Sequence, residues 1–145
     1  MKPKWDHYYL DLAKQVSLGS KDPSTQAGAV IAGPRHEVIS VGFNGFPQGM
    51  PDLPELYENR EEKYSRIIHC EMNALIFANR MIPEGSTLYT YPIMSCDRCV
   101  VHMLQAGIRR FVAPPETPYH AQRWGPAFTR TRTYIQECGG ELIIL

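Results

Sequence analysis

Two thiols stand three residues apart in Cys96-Asp97-Arg98-Cys99, and an imidazole and a carboxylate stand two apart in His69-Cys70-Glu71. On a helix, positions three apart share a face, so both sulfurs can reach one ion. The start of a helix also favours the thiolate form. His69 can add a nitrogen, which makes a Cys₂His set of three ligands. Zinc sites with three protein ligands keep a fourth position for water, whereas structural sites close with four. Bound zinc lowers the pKa of water from about 16 to about 7. A carboxylate beside that water that is not itself a ligand can take its proton and return it to a substrate. Glu71 is placed for that role.

Each residue alone has a plainer reading. A histidine at a helix start often caps or packs, a glutamate two residues later is usually solvated, and Cys70 reads as a small buried side chain. An isolated C-x-x-C also serves redox pairs and structural zinc. H-x-E followed, one helix and one strand later, by C-x-x-C favours the joint catalytic reading. A redox protein would leave His69 and Glu71 without a purpose, and a structural zinc domain would not need Glu71.

The elements that must position these groups follow from periodicity. Trp5, Tyr9, Leu12, Ala13 and Val16 fall at helical spacing and predict a helix from about Trp5 to Leu18. Strands are expected at 28–32 and 38–41, joined by the turn 33–36. Glycine and proline breakers from Gly42 to Pro54 predict a long loop to Leu56, and such loops are usually functional or mobile. A helix over about 69–80 carries His69 and Glu71, and a strand follows at 86–91. Ser95 is expected to cap a helix running to Gln105, with Gly107 just past its end. A strand at 109–113, a helix at 124–138 and a short strand at 141–145 complete the order αββαβαβαβ. The opening hairpin is antiparallel and the later βαβ steps parallel. The expected architecture is α/β, a three-layer α/β/α sandwich around a mixed five-stranded sheet, in one domain over 1–145.

Composition limits the partners. The 145 residues are 43% hydrophobic and 21% charged, values ordinary for a globular domain. Fifteen basic and fifteen acidic residues cancel, which gives no footprint for a polynucleotide. From residue 101 onward five arginines face three glutamates (Arg109, Arg110, Arg123, Arg130 and Arg132; Glu116, Glu137 and Glu141), a skew suited to small anions. No stretch reaches the ~20 apolar residues of a membrane span. The opening Met1–Asp6 lacks the apolar core of a secretion signal, so a cytoplasmic location is expected.

With the motifs in order, the chain resembles the cytidine deaminase superfamily. His69-Cys70-Glu71 and Cys96-Asp97-Arg98-Cys99 look like its paired zinc motifs. Ser20-Lys21-Asp22-Pro23-Ser24-Thr25-Gln26-Ala27-Gly28-Ala29-Val30, Gly42-Phe43-Asn44-Gly45-Phe46-Pro47-Gln48-Gly49 and Glu71-Met72-Asn73-Ala74 narrow the likeness to its deoxycytidylate branch. The likeness runs from Trp5 to the C-terminus. It departs at two positions: the family normally has Ala where Cys70 stands and Pro where Ser95 stands. Neither change removes a ligand or Glu71.

The resemblance implies hydrolytic deamination of dCMP to dUMP and ammonia, which supplies dUMP for dTMP synthesis, with Zn2+ on His69, Cys96 and Cys99 and Glu71 as the proton carrier. It implies that Asn44 hydrogen-bonds the sugar or base, that Lys21, Ser24 and Thr25 lie at the 5′-phosphate, and that Tyr119 packs over the nucleotide. An arginine or tyrosine of 119–123 is a second source for the phosphate site. Asp22-Pro23-Ser24 is also an ordinary helix-ending turn, and Asn44-Gly45 an ordinary tight-turn pair. The resemblance further implies a homohexamer activated by dCTP and inhibited by dTTP, with Gly45, Phe46 and Gly49 at the effector site and Mg2+ accompanying the triphosphate. A deaminase of tRNA adenosine or of a free base is the nearest alternative. The neutral charge argues against the first, and the Asn44 loop points to a mononucleotide.

Overall fold

A computed structural model describes residues 2–145; Met1 lies outside the described residues. The chain runs α1 (Lys2–Ser17), β1 (Gly28–Ala32), β2 (Val38–Phe43), α2 (Pro54–Glu58), α3 (Arg60–Arg66), α4 (Cys70–Ala78), β3 (Thr87–Tyr91), α5 (Asp97–Gln105), β4 (Arg110–Ala113), α6 (Pro118–Glu137) and β5 (Glu141–Ile144). The strands lie in the order β2-β1-β3-β4-β5. β1 pairs antiparallel with both β2 and β3, while β3–β4 and β4–β5 are parallel. The expected mixed five-stranded sheet is present.

Alternation along the strands assigns the two layers of helix. Ala29, Ile31, Leu88 and Phe111 join Ala74 of α4, Val100 and Met103 of α5 and Ile135 of α6 in one core. Their neighbours Val30, Ala32, Tyr89 and Val112 face Tyr9 and Ala13 of α1 in a second. Strands covered on both faces carry continuous apolar runs instead of a polar alternation, as β1 (Gly28-Ala29-Val30-Ile31-Ala32) does, buried throughout. On the α1 side, Arg110 clasps Asp6 with two hydrogen bonds of 2.7 Å, and the Tyr89 hydroxyl donates to the same carboxylate at 2.8 Å.

Three boundaries differ from the sequence expectation. The long loop is shorter, because β2 extends to Phe43 and α2 begins at Pro54. α2 and α3 occupy a stretch for which no element was expected beyond the loop. α6 starts six residues early: Thr117 caps it by accepting from the His120 amide at 3.2 Å, and Pro118 takes the first turn, where a missing N–H costs nothing. Gly125-Pro126, in the first turn of the expected helix, then lies in the helix interior. No helix among the described residues is long and apolar enough to cross a membrane.

Candidate active site

The sheet topology gathers loops at one end. Gly28 pairs with Phe43 and with Tyr91, so the entry to β1 and the exits of β2 and β3 lie together. The exit of β4, which is parallel to β3, points the same way. Ligands of open α/β sheets settle outside the carboxyl ends of the strands. Here those loops and the N-termini of α4 and α6 enclose a cavity of about 380 Å³.

α4 reaches its place because Gly42 lets it. A Cβ on Gly42 would stand 2.4 Å from the Ala74 nitrogen and 2.6 Å from the Cys70 oxygen. The helix is also tied down by Asn73 Nδ2, which donates to the Phe43 oxygen at 2.8 Å. Just upstream, Gly45 and Ile68 exchange two backbone hydrogen bonds of 3.1 and 2.8 Å. His69 is therefore fixed as the N-cap of α4, and Glu71 lies buried in its first turn.

On the other side, the β3 exit delivers Cys96 to the N-cap of α5, with Cys99 in the first turn. Ser95 was expected to cap this helix and does not. Cys96 holds the N-cap position, and the Ser95 hydroxyl is buried with no hydrogen-bond partner. The register puts both sulfurs, not the hydroxyl, at the helix start. α6 holds this segment through Thr131 Oγ1, which donates to the Ser95 oxygen at 2.9 Å, and an Arg130–Asp97 ion pair at 2.6 Å.

His69 Nδ1 lies 3.4 Å from Cys96 Sγ and 3.3 Å from Cys99 Sγ. The three ligand atoms lie within 4.8 Å of one another. Tetrahedral zinc with Zn–S of about 2.3 Å and Zn–N of about 2.05 Å requires S···N separations of about 3.6 Å, so the donor set fits that ion. The same close approach couples the three groups electrostatically. Cys96 is lowered to about 4, first by the hydrogen bond from Cys99 and then by His69. His69 is raised to about 9, chiefly by its hydrogen bond with Cys96. Cys99 is pushed up because its proton is shared with the Cys96 thiolate.

Glu71 shares the cavity wall with His69, Cys70 and Cys96. The Cys70 thiol is buried and stands 3.6 Å from Glu71 Oε1, a weak donor beside the carboxylate. An apolar part of the lining is Ile93, Met94, Trp124 and Phe128, which pack in one cluster.

The structure brings Ser24, Thr25, Asn44 and Tyr119 into the same cavity wall. Asn44 is heavily engaged: Oδ1 accepts from the Ala27 amide at 2.9 Å, and Nδ2 donates to Asp22 Oδ2 at 3.2 Å and to the Thr25 oxygen at 2.9 Å. One lone pair on Oδ1 is left for a ligand. Lys21 is not part of the wall. Its ammonium pairs with Asp52 at the surface, 3.2 Å away, and Lys63 takes the inner position. Lys63 Nζ lies 2.9 Å from Asp22 Oδ2, with side chains 11% and 2% exposed. Gly45, Phe46 and Gly49 also lie off the cavity: Gly45 bridges to Ile68, and the Phe46 ring stacks on Tyr57 at 4.1 Å.

The sequence reading missed Tyr57, Arg60, Lys63 and Tyr64, all on the wall contributed by α2 and α3. The signal was present in Asn59-Arg60-Glu61-Glu62, where the Asn59 side chain accepts from the Glu62 amide at 3.2 Å, a helix start.

The profile of the cytidine and deoxycytidylate deaminase zinc-binding region matches residues 3–114. The chain belongs to this deaminase family. An uncharacterized deaminase in the luxG 3′ region of Aliivibrio fischeri is 36% identical over 144 residues, covering 98% of this chain and 94% of that protein. The deoxycytidylate deaminases of Mus musculus and Homo sapiens are each 32% identical over 114 residues, covering 75% of this chain. The chain spans 64% of the length of those two mammalian relatives. Among solved structures, the dCMP deaminase of cyanophage S-TIM5 in complex with dCMP and dUMP superposes with a TM-score of 0.75 at 23% identity, covering 100% of this chain and 99% of that one. The same phage enzyme in apo form gives 0.72. This deaminase family member therefore shares its fold with the phage enzyme.

Proposed function

We propose that the chain is a zinc-dependent hydrolase that converts dCMP and water to dUMP and ammonia, supplying dUMP for dTMP synthesis, with the whole of 1–145 as its one domain. The observation that carries the reading is the meeting of His69 Nδ1 with two cysteine sulfurs beside a buried carboxylate that is not needed as a ligand. Kinship with the deoxycytidylate deaminases supports the choice of substrate.

His69, Cys96 and Cys99 would hold the ion. Bound zinc supplies Lewis acidity that makes water a nucleophile near neutral pH. Glu71 takes the proton of the attacking water and delivers it to N3 of cytosine as C4 becomes tetrahedral. Glu71 next takes the proton of the new C4 hydroxyl and passes it to the exocyclic amine, so that C4–O becomes a carbonyl as the C4–N4 bond breaks and ammonia leaves. Such proton transfer contributes about 10²–10⁴-fold. The apolar cluster of Ile93, Met94, Trp124 and Phe128 excludes bulk water from the base. Asn44, with one acceptor lone pair left, accepts from a sugar hydroxyl, and it holds the 22–27 loop that presents Ser24 and Thr25. Tyr119 covers the nucleotide.

Activation by dCTP, inhibition by dTTP with Mg2+ accompanying the triphosphate, effector contacts at Gly45, Phe46 and Gly49, and a homohexamer belong to the same proposal and rest on the resemblance. Ammonia release tests the whole. The zinc-loaded protein should act on dCMP in preference to CMP, deoxycytidine and dCTP, and should respond in opposite senses to added dCTP and dTTP. Turnover of deoxycytidine as fast as dCMP would move the assignment to a nucleoside deaminase.

A further inference from the structure

The cavity mouth holds an arginine with no carboxylate partner. Among the described residues, Arg35, Arg66, Arg110, Arg130 and Arg132 form ion pairs, and Arg109 is spent on the carbonyls of Leu104 and Ile108. Arg123 instead donates to two phenols. Nη1 reaches the Tyr119 hydroxyl at 3.4 Å and Nη2 the Tyr64 hydroxyl, and both tyrosines line the cavity with it. The guanidinium also lies over the Trp124 ring, 6.0 Å from its centroid. Its contacts are therefore all to neutral groups, which orient the cation and leave its charge uncompensated.

Tyr64 belongs to α3, and α2 and α3 pack on each other while, among the described residues, no other helix or strand backbone comes near them. Side chains hold the pair in place: Lys63 on Asp22, Tyr57 stacked on Phe46, and Tyr64 on Arg123. The Tyr64–Arg123 contact joins this helical cover to α6 across the mouth.

From this arrangement we infer that Arg123 selects a 5′-phosphorylated nucleotide over a nucleoside, and that Tyr64 is the positioning residue that aims it. The inference rests on the dCMP deaminase reading and names the phosphate-recognising group within that same site. A planar guanidinium matches phosphate oxygens two at a time. Replacing a neutral phenol contact by a dianion in a partly enclosed mouth gives binding that a nucleoside cannot recover. Arg60 also lines the cavity but is held by no partner among the described hydrogen bonds, so it lacks the orientation that Arg123 has.

The test compares dCMP with deoxycytidine in the wild type, Arg123→Gln, Arg123→Lys, Arg60→Gln and Tyr64→Phe. Binding by calorimetry is measured alongside kcat and KM. Arg123→Gln should weaken dCMP binding and kcat/KM by about 10- to 100-fold, the range of one charge-assisted hydrogen bond, and leave deoxycytidine unchanged. Arg123→Lys should recover part of the loss. Tyr64→Phe should raise KM for dCMP a few-fold at unchanged kcat, a split that general damage to the fold would not give. Equal losses on both substrates in Arg123→Gln, or collapse of the dCMP preference in Arg60→Gln alone, would overturn the inference. If the zinc-loaded wild type binds dCMP through Arg123 yet releases no ammonia, the deaminase reading fails while the phosphate assignment stands.

Discussion

At the scale of single residues, the site depends on a small number of strongly partnered groups. Asp22 is the hub of the substrate wall. It takes the Lys63 ammonium, the Asn44 amide and the Ser24 backbone amide at 2.8 to 3.2 Å. Removing one partner of a buried ion pair leaves the other charge without compensation. Lys63→Met should therefore destabilise the protein by about 3–5 kcal/mol, read as a shifted urea midpoint at unchanged slope. Because Asn44 and the 22–27 loop share the hub, KM for dCMP should rise in the same variant. A midpoint within error of wild type would show that the pair is dispensable. Lys63, not Lys21, takes this position for a reason the sequence did not display. Lys21 follows the α1 turn outward to Asp52, and the lysine that returns to Asp22 arrives from 41 residues away.

At the scale of elements, α2 and α3 form the part of the wall with the fewest supports, and one support titrates. The Tyr57 hydroxyl donates to Asp52 at 3.0 Å. Burial, followed by that carboxylate, raises the phenol from 10.0 to about 12. The folded-state value lies above the unfolded one, so this contribution is complete below about pH 10 and is lost as pH rises towards 12. Hydrogen exchange in 54–66 should accelerate across that window while α4 and α5 stay protected. Tyr57→Phe should abolish the pH dependence of that segment. Exchange that rises equally in every helix would assign the effect to global alkaline unfolding. The elements bearing the metal-site residues were readable because each has a strong local signature. Apolar runs mark the strands, and the H-x-E and C-x-x-C pairs mark two helix starts. α2 and α3 were not readable because their sequence, Pro54-Glu55-Leu56-Tyr57-Glu58-Asn59-Arg60-Glu61-Glu62-Lys63-Tyr64-Ser65-Arg66, is largely polar and lacks the apolar stripe that periodicity detects. Their burial is supplied by Phe46, Asp22 and Arg123, which are distant in sequence. The early start of α6 was hidden by Pro126, which suits the first turn of a helix beginning at 124, although Thr117-Pro118 is an equally sound capping pair.

At the scale of the whole molecule, the sheet order brings four loop ends to one rim, and two helix N-termini converge there with His69, Cys96 and Cys99. This convergence makes zinc, Glu71 and turnover separable by experiment. The most direct measurement is steady-state ammonia release from dCMP by Glu71→Gln beside wild type, with zinc content determined on the same samples. Glutamine keeps the volume and hydrogen-bonding shape of Glu71 but cannot carry a proton. The expected result is about one zinc per chain in both proteins and a kcat lower by about 10²–10⁴-fold in the variant, the usual contribution of a general acid–base group. Near-normal turnover by a zinc-replete Glu71→Gln protein would contradict the account.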